Sequence, residues 1–234
     1  MLNKKLFTLL SMFCLALYFS ACSPSDSGTL PLKDNMNITL PEPNYDGDVS
    51  VEEAIFNRRS IRNYINQPLT LQEVSQLLWS AQGITNTNGN RAAPSAGATY
   101  PLEIYIVVGD VYGINDGIYR YNPQQNELIK ILGGQHREAL SKAALNQRFI
   151  ADASLDIVIT AIYERTTARY GERGIRYVHM EAGHAAENVY LQAFSLGLGT
   201  VVVGAFNDDG VSNIMALAEN EVPLYIMPVG RTSD

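Results

Sequence analysis

One long helical segment, predicted over about residues 174–196, constrains the fold more than any other part of the chain. Gly197 marks its end, because glycine commonly follows the last turn of a helix. Small residues fill its middle, namely Ala182, Gly183, Ala185 and Ala186. Because small side chains let a second helix approach closely, we expect this stretch to make a subunit contact.

Two capping boxes predict helix starts earlier in the chain. Ser50 with Glu53 and Thr70 with Glu73 have the S/T-x-x-E pattern, and the second helix is expected to end near Gly83. Buried apolar runs predict strands at residues 103–109, 117–121, 127–132, 155–163, 199–204 and 224–229. Further helices are predicted over residues 136–146 and up to residue 217, the last one capped by Asp208 or Asp209.

The end of the first predicted helix carries a cluster of phosphate-binding side chains. Arg58 and Arg59 present planar guanidinium groups that bind phosphate oxygens in pairs, and the Ser60 hydroxyl adds a neutral donor. These residues predict a cradle for a phosphorylated cofactor. The alternative interpretation is a solvated basic helix end, where cations satisfy the C-terminal dipole.

Composition excludes several kinds of chemistry. The formal net charge is −7 and the isoelectric point is about 5.0, which argues against nucleic acid as a partner. The two cysteines, Cys14 and Cys22, both lie near the N-terminus. The predicted domain therefore has no disulfide, cysteine nucleophile, cysteine-ligated zinc or iron–sulfur cluster. Chemistry beyond acid–base catalysis would come from a bound organic cofactor.

The N-terminal region is predicted to direct export. Two lysines precede an apolar run from residue 6 to residue 19, which is short for a membrane span and typical of a signal peptide. The four residues that end in Cys22 resemble the lipobox of bacterial lipoproteins, so we expect a signal peptide over residues 1–21 and lipidation at Cys22. Residues 22–47, which are rich in proline, are predicted to be a flexible tether, and residues 48–234 the folded domain. The expected location is the cell envelope or periplasm, with the chain anchored to a membrane by its lipid.

Four ordered motifs across this domain resemble the FMN-dependent nitroreductase family. They occupy residues 58–64, 93–103, 170–188 and 197–206. Within the family they are most similar to the branch of azoline-oxidising, SagB-type dehydrogenases. The resemblance implies an α+β fold with a mostly antiparallel central sheet flanked by helices. It also implies an intertwined homodimer with FMN at the subunit interface.

The resemblance assigns roles to individual positions. Residues expected at the phosphate and ribityl end of FMN are Arg58, Arg59, Ser60 and Arg231. Residues expected along the flavin ring are Arg62, Gln147, Val203 and Gly204. The loop residues expected to reach the flavin from the other subunit are Pro94, Ser95 and Ala96. The activity implied is ping-pong hydride transfer through flavin N5, to or from a small organic substrate, with NAD(P)H as the usual donor.

The SagB-type activity depends on a Lys-Tyr pair that this chain lacks. The nearest match is Arg169-Tyr170, and arginine is a poor general base because it does not deprotonate in proteins. Tyr170 is therefore the single catalytic side chain that we predict. The alternatives are a SagB-type dehydrogenase and a non-catalytic flavin-binding lipoprotein.

Three rival interpretations of single residues are weaker. Ser95 lacks the first glycine of the G-x-S-x-G elbow of serine hydrolases. Glu181 and His184 have the i, i+3 spacing of a carboxylate metal site, but no second such pair exists. The nearby tyrosines Tyr163, Tyr170 and Tyr177 could stack on a ligand, although such aromatics are usually part of a core or an interface.

Overall fold

The computed structural model describes residues 37–233. Its strands are β1 (Asn37–Thr39), β2 (Leu102–Val108), β3 (Gly117–Asn122), β4 (Glu127–Gly133), β5 (Leu155–Ala161), β6 (Leu198–Thr200) and β7 (Val222–Arg231). They form one seven-stranded sheet in the order β1-β4-β3-β2-β5-β7-β6, with every neighbouring pair antiparallel. The predicted α+β fold with an antiparallel sheet is confirmed.

Helices pack on this sheet. They are α1 (Val51–Asn57), α2 (Leu71–Gln82), α3 (Arg137–Ala143), α4 (Arg148–Asp152), α5 (Glu164–Tyr170), α6 (Arg173–Ser195) and α7 (Asp208–Met215). A short 3-10 turn covers Ala96–Ala98. The long helix α6 ends as predicted, with Gly197 in the left-handed region at φ 66°.

Two apolar clusters lie on opposite faces of the sheet. Because side chains alternate along a strand, Ile104 and Ile106 of β2 face α2 and α6, whereas Tyr105 and Val107 face α3, α4 and α7. The strands at the centre of the sheet are therefore buried on both faces. This double burial explains why β5 is apolar along almost its whole length.

The three small alanines of α6 serve packing inside the chain, whereas Gly183 is exposed. Ala182, Ala185 and Ala186 are each at most 3% exposed and belong to the cluster that contains α2. The Asn188 side chain donates to the Ser80 carbonyl at 3.0 Å, which ties the two helices together. The expectation that these alanines make a subunit contact is therefore wrong, because α2 occupies the space beside them.

The domain begins earlier than the sequence suggested. Residues 37–47, assigned to the tether, include strand β1, which pairs with β4. Leu40 is 3% exposed, and the Asn44 amide donates to the Gln76 side chain at 2.8 Å. Proline does not prevent this packing, since the Pro41 carbonyl accepts from Ser75. The signal peptide, Cys22 and the first part of the tether lie outside the described residues.

The helix caps agree with the sequence in two cases and differ in one. Both bonds of the capping box between Thr70 and Glu73 are present, and Ser50 accepts from the Glu53 amide at 3.0 Å. Helix α7 is capped by Asn207 and not by Asp208 or Asp209, which are its first two residues. Helices α4 and α5 have five and seven residues and no side-chain cap, too short to show a helical periodicity, and neither was predicted.

Candidate functional site

The two arginines predicted to bind phosphate lie where α1 ends. The Arg58 guanidinium is 5.0 Å from the centre of the Tyr190 ring and 3.9 Å from the Glu187 carboxylate. Arg59 turns back and donates to the carbonyls of Phe56 and Arg58. Arg58 thus faces α6, whereas Arg59 satisfies the end of its own helix, as the alternative interpretation expected.

Ser60, the third of these residues, is held by Tyr190 of α6. Their hydroxyl oxygens are 3.0 Å apart, and the Tyr190 oxygen also accepts from the Val202 amide at 2.8 Å. With one lone pair of Tyr190 occupied in this way, its phenol proton can be donated to Ser60. The Ser60 hydroxyl proton then remains available to an acceptor such as a phosphate oxygen. Tyr190 is a site residue that the sequence did not reveal.

A cavity of about 230 Å³ opens beside this cluster. Its walls are formed by α1, α6 and β6, with the lining residues Asn57, Arg58, Arg59, Ile61, Tyr190, Phe194, Gly197, Leu198, Thr200 and Thr232. Arg58 and Arg59 are its charged lining residues, so its electrostatic character is positive. An anion is the group that this cavity fits.

Arg62 and Gln147 come together on a neighbouring part of the surface. The Arg62 guanidinium lies 5.8 Å from the centre of the Phe149 ring. Gln147 donates from its side-chain nitrogen to the carbonyls of Ala144 and Ala205 at 2.9 and 3.0 Å. Gln147 therefore adjoins the segment that follows β6, and Arg62 contacts Phe149, two residues further along the chain than Gln147.

Val203 and Gly204 differ in what their backbone can still do. The Val203 amide and carbonyl pair with Ile226 at 2.8 and 2.9 Å, so this residue has no free amide. Gly204 is exposed, and its amide donates to no residue within the range 37–233. A side chain at this position would meet only the Tyr225 ring, at 3.6 Å. Packing inside the chain therefore does not require glycine here, whereas a closely approaching ligand would.

The Arg231 side chain is held by residues other than the remaining predicted phosphate ligands. At the end of β7 it forms a 3.0 Å ion pair with Glu73 and donates to the Pro68 carbonyl. No hydrogen bond or ion pair joins it to Arg58 or Ser60 in the described chain. It would have to leave Glu73 in order to bind a phosphate.

A second group of predicted residues gathers around the loop at residues 93–98. The Ser95 hydroxyl accepts from the Tyr100 amide at 2.9 Å, and Arg169 donates to the Gly97 carbonyl at 3.1 Å. The Tyr170 hydroxyl lies so close to Gly97 that a Cβ there would be 2.4 Å from it. Gly97 has a φ of 61°, so both its conformation and its crowding require glycine.

Glu181 lies on α6, the helix that packs against this loop. It is 2% exposed, and its Oε1 has no hydrogen-bond partner in the described chain. Burial raises the pKa of Glu181 to about 7, against the opposing effects of Ser95 and of the Arg91 charge. His184, its suggested metal partner, is exposed. No group of at least three His, Cys, Asp or Glu side chains in residues 37–233 is arranged to hold a metal ion.

Comparison with known proteins decides the family. The model of the nitroreductase family matches residues 55–231. The chain belongs to the nitroreductase family. A protein of Methanocaldococcus jannaschii provisionally named a nitroreductase, MJ1384, is 50% identical over 198 residues, covering 85% of this chain and 98% of that one.

Other members of the nitroreductase family are similar over most of the chain. The crystal structure of a provisional nitroreductase from Ralstonia eutropha has a TM-score of 0.75 at 30% identity, covering 86% of this chain and 92% of that one. The microcin B17-processing protein McbC of Escherichia coli is 25% identical over 200 residues, covering 76% of this chain and 70% of that one. The chain therefore has distant relatives in the SagB-type branch of the nitroreductase family.

Within this nitroreductase-family fold, the predicted residues form two separate half-sites. The first contains Arg58, Ser60 and the segment after β6; the second contains the loop at residues 93–98 and Tyr170. Helix α6 contacts the first half-site at Tyr190 and the second at Glu181. Nine residues at 1.5 Å each separate these contacts by about 14 Å along the helix.

In residues 37–233, no helix is long and apolar enough to cross a membrane.

Proposed function

We propose that this member of the nitroreductase family is an FMN-dependent oxidoreductase that acts on a small organic substrate. The observation that carries the proposal is the chain of contacts from Arg58 and Ser60 through Tyr190 to Val202. It connects side chains suited to a phosphate with the backbone two residues before Gly204, whose amide donates to no residue in the described chain. A ligand with an anionic end and a polar ring fits both ends of this half-site.

The chain's own residues bind and orient such a cofactor. Arg58 and Ser60 would hold the phosphate by charge-assisted and neutral hydrogen bonds. Gly204 would donate its amide to the ring, and Arg62 would place a positive charge at the ring edge, where negative charge is stabilised. When bound, FMN would supply the hydride chemistry at its N5, taking electrons from a donor such as NAD(P)H and passing them to an acceptor.

The functional unit that we propose is a homodimer. Two half-sites that lie about 14 Å apart along α6 do not enclose one flavin ring in a single chain. Exposed apolar side chains support a contact between copies: Val51, Ile55 and Phe56 of α1 and Ile175 and Met180 of α6 are 44–77% exposed. In such a dimer, Pro94, Ser95 and Ala96 of one copy would complete the site of the other. Analytical ultracentrifugation should give twice the chain mass; a monomer that holds FMN would contradict this arrangement.

A SagB-type dehydrogenase is the second candidate. Its support is the similarity to the microcin B17-processing protein and the position of Tyr170 beside the loop at residues 93–98. Arg169 is engaged with the Gly97 carbonyl, so it orients the loop and takes no proton from a substrate. Tyr170 would be the proton-transferring group. Loss of azoline oxidation in Tyr170→Phe, with flavin content unchanged, would favour this activity; an unchanged rate would exclude that role.

Replacement of Arg58 tests the cofactor assignment. Arg58→Ala should weaken FMN binding by about 10- to 100-fold, because a hydrogen bond to a charged group contributes about 1.5–3 kcal/mol. Arg148→Ala is the matched control, since Arg148 is exposed and, among residues 37–233, pairs with Glu138 and Asp152. FMN fluorescence quenching gives both affinities. An unchanged affinity in Arg58→Ala would refute the phosphate assignment.

We propose, finally, that the chain is an exported lipoprotein anchored through Cys22. The support is the sequence pattern before and at Cys22, which lies outside the described residues. We expect the parent chain to incorporate labelled palmitate. The Cys22→Ser variant should lose this label and be released from membranes. Labelling that persists in Cys22→Ser would contradict the proposed anchor.

A further inference from the structure

A polar cavity lies apart from the first half-site and next to the second. Its volume is about 460 Å³, within the range of small-ligand pockets. It is formed where β2 begins and β3 ends, together with the start of α5. The lining residues are Arg91, Thr99, Tyr100, Glu103, Arg120, Tyr121, Asn122, Pro123, Gln124 and Arg165.

The charges of the lining residues do not balance. Three are arginines and one is a carboxylate, Glu103, in a chain whose overall charge is −7. Glu103 forms a 2.7 Å ion pair with Arg165, which also donates to the Tyr100 carbonyl. One cation is therefore neutralised. The positive charge that remains belongs to Arg91 and Arg120.

These two arginines have only weak partners or none. Arg91 donates to the neutral Gln82 side chain at 2.9 Å, and its guanidinium lies 4.5 Å from the centre of the Tyr100 ring. The Arg120 side chain makes no hydrogen bond or ion pair with any residue in the range 37–233, although its backbone pairs within the sheet. Burial lowers the pKa of Arg91, and the nearby Glu103 and Glu181 charges oppose this shift. Neither guanidinium group forms an ion pair within residues 37–233, and Glu103, the one carboxylate that lines the cavity, is already paired with Arg165.

We infer that this cavity is a second anion-binding site, which takes a small molecule carrying phosphate or carboxylate groups. Guanidinium groups recognise both kinds of anion through paired N–H donors. The bound anion would supply the negative charge that the lining residues lack. The inference does not depend on FMN, since no residue of the first half-site lines this cavity.

The cavity is physically connected to the second half-site. Tyr100, whose ring packs on Arg91, donates its amide to Ser95, and Thr99 bonds to Thr166 and to the Ala96 carbonyl. A ligand that pulls on Arg91 and Tyr100 therefore acts on the loop at residues 93–98. The anion would fix the position of this loop.

Calorimetric titration of the full chain with pyrophosphate, and separately with succinate, tests the inference. The chain is first loaded with FMN and freed of excess by gel filtration, and its flavin content is read by absorbance. We expect one of the two anions to bind. Arg120→Gln should weaken that binding at least about tenfold, because it removes a charge-assisted contact. Arg120→Lys, which keeps the charge, should weaken it less and provides a second variant for the same cavity.

The controls separate this site from the flavin site. Arg148→Gln changes an exposed arginine that does not line the cavity and should bind the anion as the parent chain does. Arg120→Gln should retain its full flavin content. Failure of both anions to bind the parent chain would overturn the inference. So would equal affinity in Arg120→Gln, or binding that is lost only in Arg58→Ala. A chain that takes up no flavin but still binds the anion through Arg120 would refute the FMN proposal and support the second anion-binding site.

Discussion

Replacement of Glu181 by Gln tests how burial controls a carboxyl group behind the loop at residues 93–98. Burial raises the pKa of Glu181 from 4.5 to about 7, and Oε1 has no hydrogen-bond partner in the described chain. The folded protein therefore binds the Glu181 proton more tightly than the unfolded chain does. Gln has nearly the same shape and no charge, so the variant removes the titration and little else.

The size and sign of the effect follow from the two pKa values. Below pH 4.5 both states hold the proton, and the group adds no pH dependence. As the pH rises from 4.5 to about 7, the unfolded state loses the proton first, so the parent protein loses stability. Each unit of pKa difference corresponds to about 1.4 kcal/mol, which gives about 3 kcal/mol in total. Above pH 7 the loss is constant.

Urea unfolding followed by circular dichroism at pH 4.5, 6 and 8 measures this effect. The free energy of unfolding of Glu181→Gln, minus that of the parent, should rise by about 3 kcal/mol between pH 4.5 and pH 8. Glu219→Gln, an exposed site with the same chemical change, should show no such rise. A difference that stays flat across this range, or falls, would refute the assignment of a raised pKa to Glu181.

Three further substitutions probe the structure around the site, each measured by denaturant unfolding. Tyr190→Phe leaves the Val202 amide without its acceptor and should lower the free energy of unfolding by about 1–3 kcal/mol. Tyr112→Phe, at an exposed ring, should lower it by less than about 0.5 kcal/mol. Equal losses in the two variants would show that the Tyr190 hydrogen bonds do not contribute to stability. Thr70→Ala removes the N-cap of α2 and should lower the free energy of unfolding by about 1 kcal/mol relative to Thr87→Ala, at an exposed threonine. Equal stability of the two variants would contradict this prediction. Ala216→Gly should stabilise by about 0.5–1 kcal/mol, because Ala216 is left-handed at φ 51°, whereas Ala218→Gly should not; a loss of stability at position 216 would contradict the strain argument.

The parts of the fold that the sequence predicted are those with local signals. Helix α2 has a capping box at its start and an apolar stripe, and α6 has a long periodic pattern that Gly197 ends. Both helices were predicted to within two residues. Helix α4, with five residues and no side-chain cap, has no comparable signal and depends on tertiary packing. Strand β1 forms by pairing with residues about 90 positions away, which composition alone does not reveal.

In the candidate site, too, the sequence predicted the residues with local signals and missed the contacts between distant parts of the chain. Arg58 and Ser60 are adjacent in sequence and were predicted together from their chemistry. Tyr190 meets Ser60 across 130 residues, and no periodicity or spacing marks that contact. Glu73 was assigned only to a helix cap, although its carboxylate also holds Arg231. Local patterns predict which side chains suit a phosphate, whereas their final partners depend on the folded chain.

The visible absorption spectrum of the purified chain, before and after anaerobic addition of NADPH, tests the central proposal most directly. We predict a flavin band that bleaches when NADPH is added, because the half-site of Arg58, Ser60 and Gly204 would hold FMN where a donor can reach it. A colourless chain that takes up no FMN when the cofactor is supplied would contradict the proposal.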